Sequence, residues 1–255
     1  MEEQLETKTG LFVSHLMVSL PSGASRHDVS TELIALIDKY RSKDFQIITA
    51  SVFGYECDVL IMSLAKDAND VWQFEQDIKK LELTIEDSFF SVTELSEYTT
   101  TEQEERARVE QLEVPQDEKD SMMEQWLARM AIYEKNRLFP ELPPKEYICF
   151  YPMSKKREAH ANWYALSFED RAKYMRNHGT LGRKYSGKIL QLITGATGLT
   201  DWEWGVSLFS DSLVDIKDIV YDMRFDEASA LYGEFGHFTI AKIIDLNKLF
   251  SKFKE

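Results

Sequence analysis

The chain has 255 residues, and its 44 acidic and 30 basic side chains give it a formal net charge of −14. With 44% hydrophobic residues and only six prolines, it has the composition of a folded globular protein rather than a disordered one. The acid excess argues against a protein that binds duplex nucleic acid, because phosphate neutralisation needs concentrated lysine and arginine.

No apolar run approaches the roughly 20 residues that span a bilayer, and the start, MEEQLETKTG, is acidic where a secretory signal is basic and then apolar. We therefore expect a soluble, cytoplasmic protein. The two cysteines, Cys57 and Cys149, are too few for a disulfide framework or a four-ligand zinc site, although a single bridge between them is not excluded by counting. Both are predicted to be buried thiols inside strands.

The first half of the chain has the pattern of strand, helix, two strands, helix and strand. The predicted elements are a strand at residues 11–20, a helix at 29–40, two strands around Gly54 within 45–64, a helix at 71–81 and a strand at 88–95. This is the element order of a ferredoxin-like fold.

The second half repeats that order. The predicted elements are a strand at residues 146–155, a helix at 167–179, a hairpin of 188–194 and 202–209, a helix at 214–223 and a strand at 235–244. Ser167 with Asp170 is predicted to cap the first helix and Gly179 to end it. Residues 188–194 are short and apolar enough to be a helix instead, and the match between the two halves favours a strand.

The predicted fold class is therefore α+β, with two ferredoxin-like domains of the dimeric α/β-barrel type in tandem, each an antiparallel sheet with helices on one face. The domains are predicted at residues 1–99 and 145–255. The connector between them, residues 100–144, is polar: residues 101–120 carry eight acids against three bases, and a helix is predicted around 122–133.

The second half is locally basic, since residues 145–188 hold ten Lys or Arg against four acids. An anionic ligand would bind in this region of a chain that is acidic as a whole. Strand alternation puts Tyr151, Met153 and Lys155 on one face of the predicted strand. The same pattern also fits a half-buried strand without a site, because tyrosines are common on such strands and methionine fills gaps in cores.

Two further polar residues are candidate site residues because of where they lie in the predicted elements. His178 falls in the last turn of its predicted helix, where a histidine either compensates the helix dipole or acts as a ligand. Gln191 shares a strand face with Ile189 and Ile193, and a buried amide must form a hydrogen bond to a neighbouring backbone or point into a polar cavity. Gly-rich phosphate loops, GxSxG and HExxH motifs do not occur in the chain.

Several motifs taken together resemble those of a known family. They are YPMSKKR at residues 151–157, NWY at 162–164, GRKYSGKILQLITGATGL at 182–199, DWEWGV at 201–206 and YDMRFDEAS at 221–229. This set is similar to the coproheme decarboxylases of the chlorite dismutase-like superfamily. The likeness covers nearly all of residues 146–244, whereas the first half matches in the order of its elements more than in its amino-acid sequence.

The resemblance implies a haem-type pocket in the C-terminal domain and roles for particular residues. His178 would be the proximal iron ligand, and Gln191 would stand on the distal side, where oxygen-producing chlorite dismutases carry an arginine. Tyr151 would be the redox tyrosine that attacks the propionates, Met153 would lie beside the porphyrin, and Lys155 would assist the second decarboxylation.

Arg137 and Ser229 fall where members of the family hold propionates. The tyrosine-lysine strand and the distal glutamine resemble the branch typical of Firmicutes. The resemblance also implies a homo-oligomer, usually a pentamer, and a ferrochelatase as a transient partner.

The function that the resemblance implies is peroxide-dependent decarboxylation of two propionates of iron coproporphyrin III (coproheme), which gives haem b as the last step of coproporphyrin-dependent haem biosynthesis. The porphyrin would be both substrate and redox cofactor, with hydrogen peroxide as oxidant. Two alternatives stay open. One is a haem b peroxidase or chlorite dismutase-like enzyme, and the other is a non-catalytic porphyrin carrier.

Overall fold

A computed structural model describes residues 8–23, 25–43, 45–54 and 57–251, with backbone alone at Ser25 and Ser251. The outer ends of the two predicted domains, residues 1–7 and 252–255, lie outside the described residues.

The first half contains the six elements that its pattern predicts. They are β1 (Thr9–Ser19), α1 (Ser25–Arg41), β2 (Gln46–Val52), β3 (Val59–Ala65), α2 (Ala68–Ile78) and β4 (Thr84–Glu94). Helix α2 shows why the pattern works: Val71, Phe74 and Ile78 recur at helical spacing and are fully buried, and the Asp67 side chain caps the helix by accepting from the backbone N–H of Asn69.

The connector forms two helices, α3 (Glu102–Glu110) and α4 (Gln116–Leu138), and α4 is longer than the predicted helix. A reciprocal capping box between Thr101 and Glu104 starts α3 within the acidic stretch. Helix α4 packs on β1 and β4, and this contact brings Arg137, in its last turn, to the second half of the protein.

The second half follows the predicted order, with short elements added. Its strands are β5 (Tyr147–Lys155), β6 (Arg157–Glu158), β7 (Ala161–Asn162), β8 (Leu190–Gly195), β9 (Trp204–Ser210), β10 (Gly233–Phe235) and β11 (Thr239–Ile243). Its helices are a 3-10 turn (Trp163–Ala165), α5 (Phe168–Arg183), α6 (Leu213–Met223), α7 (Glu227–Tyr232) and α8 (Leu246–Ser251). The segment around residues 188–194 is a strand, β8, and its helical alternative is wrong.

The prediction that Gly179 ends its helix is wrong, because α5 continues to Arg183. The Ser167 cap is confirmed, since its side chain accepts from the backbone N–H of Asp170 at 3.2 Å. A glycine inside a helix costs only about 1 kcal/mol, and α5 packs on both α6 and α7. His178 therefore lies inside the helix rather than in its last turn, so it does not compensate the dipole at the helix end.

The predicted closing strand at 235–244 is interrupted and forms β10 and β11. Both pair with β5, and the break lies opposite Pro152. Pro152 accepts a hydrogen bond from the backbone N–H of Gly236 at 2.9 Å but has no N–H to offer in return. A proline interrupts a sheet ladder in this way.

The two halves form one closed antiparallel barrel. Each half has the strand order 2-3-1-4 of a ferredoxin-like sheet, namely β2-β3-β1-β4 and β8-β9-β5-β11. Strand β4 pairs with β8, and β11 pairs with β2, so the strands of both halves form a ring of eight. The predicted fold class is confirmed, and because both halves share one sheet, the domain boundaries at 99 and 144 stay a prediction.

Side-chain alternation divides the core into one layer inside the barrel and two outside it. The interior holds Val13, Met62, Phe89, Phe150 and Phe209. Outside the first half, α1 and α2 cover the sheet; outside the second half, Ile216 and Ile219 of α6 pack against Tyr151 and Leu208. Tyr151 thus faces outward, toward the helices of the second half.

Both cysteines are buried and free, so the bridge that counting left open does not form. Cys149 lies in β5, whereas Cys57 lies just before β3 rather than within it. Within the described part of the chain, none of the helices combines the length and the apolar character needed to cross a bilayer.

Candidate functional site

A cavity of about 850 Å³ lies between the outer face of the second-half sheet and its helices. It is lined by side chains from β5, β8 and β9 on one side, from α5, α6 and α7 on the other, and by the segment after β4 at one end. All seven predicted site residues line this cavity: Arg137, Tyr151, Met153, Lys155, His178, Gln191 and Ser229. Most of the remaining wall is apolar.

His178 reaches the cavity from α5, and a buried carboxylate holds its ring. The Nδ1 atom lies 2.8 Å from Oδ2 of Asp226, whose side chain is only 4% exposed. The carboxylate requires the proton on Nδ1, which leaves the lone pair of Nε2 available to a metal ion. Among the described residues, no group of three or more His, Cys, Asp or Glu side chains could by itself hold a metal ion.

Asp226 also binds Ser229. Its Oδ2 accepts from both the backbone N–H and the hydroxyl of Ser229 at 3.1 Å, which caps α7. The Ser229 hydroxyl proton is therefore directed to Asp226 rather than to the cavity, so Ser229 can offer a ligand only the lone pairs of its oxygen.

Tyr151 is 9% exposed and lies between two phenylalanine rings. Its ring stacks on Phe238 at a centroid distance of 4.2 Å and meets Phe235 edge-on at 6.0 Å. Burial raises the pKa of the Tyr151 phenol well above its usual value. The side chain is therefore a neutral, oriented phenol at the cavity wall.

Lys155 lies on the same strand face as Tyr151 and is 7% exposed. Its Nζ donates to the backbone oxygen of Ala228 at 3.1 Å and lies 4.5 Å from the centre of the Trp163 ring. Burial lowers the pKa of Lys155 to about 8, and the negative charges of Asp226 and Glu203 partly offset this by raising it. Near neutral pH this amine can both hold and release a proton.

Arg137 closes one end of the cavity beside Glu94. Its Nη2 donates to the backbone oxygen of Glu94 at 3.3 Å, and its Nε is buried without a partner among the described residues. Burial raises the pKa of the Glu94 carboxyl above its usual value, although a hydrogen bond from Trp204 and the charge of Arg137 act in the other direction. Because its Nε has no partner among the described residues, the Arg137 guanidinium has donor capacity left for an anionic ligand.

Gln191 stands on the outer face of β8, paired with Leu208 of β9. Its neighbour Leu192 points into the barrel, as the strand pattern predicts. The expectation of a buried amide is wrong, because Gln191 is exposed where it lines the cavity. The amide therefore points into an accessible space, and Met153 lies on the same wall.

Several groups at the site were not predicted from the sequence. Asp226 and Trp163 fall within the motifs YDMRFDEAS and NWY but received no role, and Glu94 lies at the end of an unremarkable strand. Asp226 has the position of a helix N-cap, a signal that explains its contact with Ser229 but not its contact with His178. No sequence spacing relates Asp226 to a histidine 48 residues away.

Comparison with known proteins gives the family. Residues 26–244 match a family model described as chlorite dismutase. A heme-binding protein from Thermus thermophilus is 34% identical, with a TM-score of 0.79 over 98% of this chain and 97% of that chain.

Two structures of chlorite dismutase from Candidatus Nitrospira defluvii are similar in fold. A mutant is 18% identical, with a TM-score of 0.70 over 99% of each chain, and an imidazole complex is 18% identical, with a TM-score of 0.71 over 98% of this chain and 97% of that chain. Because the family model spans most of the chain and the Thermus relative is similar over nearly its whole length, the chain belongs to the chlorite dismutase family.

Proposed function

We propose that this protein is a coproheme decarboxylase, which converts two propionates of iron coproporphyrin III to vinyl groups at the expense of hydrogen peroxide. The observation that carries the proposal is that a histidine, a buried tyrosine, a buried lysine and a neutral glutamine line one cavity. The 34% identical relative is described as a heme-binding protein, which supports a porphyrin ligand.

The cavity fits a flat molecule with an apolar face and carboxylates at its edge. Its walls are largely apolar, as the porphyrin plane requires. Arg137, Lys155 and Arg224 supply cations within the lining, and the unpartnered Nε of Arg137 is a donor ready for a carboxylate. An acidic chain can thus bind a tetra-anionic substrate because the cations are local.

His178 is the residue that would bind the iron, through Nε2. Its Nδ1–H is held by Asp226, which fixes the ring and makes the imidazole a stronger ligand. Bound iron supplies the redox chemistry with peroxide, and the residues around it decide which bonds of the substrate react.

Tyr151 is the residue that would oxidise the propionate. Its raised pKa keeps the phenol protonated, so it loses an electron and a proton together and becomes a neutral radical. That radical would regain a hydrogen atom from the β-carbon of a propionate. The propionate radical would then lose carbon dioxide and give one further electron to the oxidant that peroxide supplies, which leaves a vinyl group. Each cycle reduces one hydrogen peroxide to two waters and consumes one proton.

Lys155 is suited to supply that proton. With a pKa of about 8 it is charged for most of the time at neutral pH and yet gives up its proton more easily than an exposed lysine. Its hydrogen bond to Ala228 and its place over the Trp163 ring fix the ammonium at the cavity wall. The same charge would attract the second propionate.

Gln191 favours this function over chlorite chemistry. Its neutral amide can donate a hydrogen bond to a peroxide but cannot accept a proton from it or carry a positive charge. The resemblance implies that oxygen-producing chlorite dismutases carry an arginine at the distal position. The pentamer, the cytoplasmic location and the ferrochelatase contact are part of the same proposal.

The test is to load the protein with iron coproporphyrin III, titrate it with hydrogen peroxide and follow the porphyrin by mass spectrometry. We expect stepwise loss of two carboxyl groups in the wild type and in Tyr147→Phe, a control on the same strand face outside the cavity lining. Tyr151→Phe should bind the porphyrin and leave it intact. An unchanged or bleached porphyrin in the wild type would instead favour a carrier or a peroxidase.

A further inference from the structure

Three aromatic rings connect the cavity to the protein surface beside Lys155. Trp163 lines the cavity and is 1% exposed. Its ring centre is 5.3 Å from that of Tyr232 and 6.1 Å from that of Tyr174, and the two tyrosine rings are 5.6 Å apart. The tyrosines do not line the cavity, and both are partly exposed to solvent.

These rings belong to three separate elements, and their contacts hold them in place. Trp163 starts the 3-10 turn, Tyr174 lies in α5 and Tyr232 ends α7. Burial raises the pKa of Tyr174, and the neighbouring phenol of Tyr232 raises it further. Tryptophan and tyrosine are the side chains most easily oxidised by one electron in this part of the protein, and rings in contact exchange electrons readily.

Lys155 places a positive charge at the inner end of this row of rings, with Nζ 4.5 Å from the centre of the Trp163 ring. A cation over an aromatic face is attracted to its electrons, so the ring loses an electron less readily while the charge is present. Arginine at this position would keep the charge over the ring, whereas methionine would remove it.

We propose that Trp163, Tyr232 and Tyr174 carry oxidising equivalents from the cavity to the surface, and that the Lys155 ammonium restrains this transfer. Trp163 gives one electron to the peroxide-oxidised porphyrin and regains one from Tyr232, which regains one from Tyr174. Tyr174 then releases its phenolic proton to water and is left as a neutral radical at the surface. An ascorbate-type reductant in solution returns one electron and one proton to Tyr174.

Such a route removes an oxidising equivalent when no propionate lies within reach of Tyr151. Tyr151 and Trp163 both line the cavity, so they compete to donate an electron to the peroxide-oxidised porphyrin. The charge of Lys155 biases that competition toward Tyr151. The inference rests on the proposed function only in placing a peroxide-oxidised porphyrin in the cavity, and it does not require decarboxylation.

The experiment uses the full-length protein loaded with iron porphyrin and treated with hydrogen peroxide and a nitroso spin trap. Trapped radicals are located by peptide mass spectrometry, and the porphyrin is analysed in the same samples. We compare the wild type with Tyr232→Phe, Lys155→Met and Lys155→Arg. Tyr221→Phe is the control, because Tyr221 is a half-exposed tyrosine outside the cavity and away from Trp163.

We expect the wild type and Tyr221→Phe to trap the radical at Tyr174 and not at Tyr221. Tyr232→Phe should lower trapping at Tyr174 several-fold and raise oxidation of Trp163, because both steps through Tyr232, at 5.3 and 5.6 Å, are shorter than the direct 6.1 Å step from Trp163 to Tyr174. Lys155→Met should raise trapping at Tyr174 several-fold, and Lys155→Arg should restore the wild-type level.

Equal trapping at Tyr174 with and without Tyr232 would overturn the transfer route, and equal trapping in Lys155→Met and the wild type would overturn the restraint. Trapping at Tyr174 without loss of carboxyl groups would overturn only the decarboxylase proposal. A protein that binds no iron porphyrin, shown by the lack of a Soret band, would overturn both.

Discussion

Nδ1 of His178 lies 2.8 Å from Oδ2 of Asp226, and the same carboxylate oxygen caps helix α7 through Ser229. One buried carboxylate thus fixes both the candidate iron ligand and the start of the helix that carries Ala228, the acceptor for Lys155. Asp226 therefore links His178, on the helix side of the cavity, to Lys155, on its strand side.

The first prediction concerns that carboxylate. Asp226→Asn removes the charge that, in the proposed function, would make His178 a stronger iron ligand, but asparagine caps a helix as well as aspartate does, so α7 should persist. We expect iron porphyrin to bind about 10–100-fold more weakly, as is usual for such partners of metal ligands. The measurement is a Soret titration, with the iron–histidine stretch from resonance Raman as a second readout.

Asp222→Asn is the matched control for Asp226→Asn. Asp222 accepts a hydrogen bond from the Tyr185 hydroxyl at 2.7 Å and does not line the cavity. If both variants bind iron porphyrin as the wild type does, His178 is not held by Asp226 in the way that the structure indicates.

The second prediction concerns Lys155 and pH. Its folded pKa of about 8 is below its unfolded value, so the unfolded chain binds more protons between pH 8 and about 10.5. The penalty for burying the ammonium is fully present below pH 8 and is lost as pH rises through that window. The free energy of unfolding of the wild type should therefore rise by about 2 kcal/mol, relative to Lys155→Met, between pH 7 and 10.

Urea unfolding of the two proteins at pH 7 and at pH 10 measures this difference. The contributions of other titrating groups to the free energy of unfolding cancel, because both proteins carry those groups. A difference between wild type and Lys155→Met that does not change with pH would mean that Lys155 has an ordinary pKa.

The third prediction concerns Gln191, which the proposed function assigns to the distal side of the bound porphyrin. Gln191→Arg would add a fixed positive charge to the cavity wall, where it can hold an anionic oxidant. We expect chlorite decomposition, followed as oxygen release from the haem-loaded protein, to increase. Leu190→Arg is the control, because Leu190 is 42% exposed and does not line the cavity. Equal rates of oxygen release in the two variants would mean that Gln191 does not lie on the distal side of the bound porphyrin.

The fourth prediction concerns the barrel interior, where His15 is fully buried. Its ring stacks on Phe150 at 3.9 Å and its Nε2 lies 3.0 Å from the Ser207 hydroxyl, while Nδ1 has no partner among the described residues. Burial lowers the pKa of His15 to about 3. The unfolded chain therefore binds the extra proton between pH 6.5 and 3, and stability falls as pH falls through that window.

His15→Leu should remove this acid sensitivity even if it changes stability at neutral pH. Between pH 7 and 4 the wild type should lose about 3 kcal/mol more than the variant does. Chemical unfolding at the two pH values tests this, and parallel losses in both proteins would contradict it.

The order of elements could be predicted because it depends on local patterns. The strand pattern of residues 146–155 identified β5, the match between the two halves favoured a strand at β8, and the helical spacing of Val71, Phe74 and Ile78 identified α2. The break between β10 and β11 was missed because its cause, Pro152, lies on a different strand. The end of α5 was missed because packing on α6 and α7 outweighs the low helix propensity of Gly179.

The candidate site divides in the same way. The sequence alone placed Tyr151, Met153 and Lys155 on one strand face and marked the basic segment around them, since strand alternation and charge are local properties. Only the tertiary structure brought Asp226 to His178, Arg137 from the connector to the cavity, and Trp163 under Lys155. Those contacts join residues far apart in the chain, and their geometry depends on closure of the barrel and packing of the helices, which no spacing along the sequence encodes.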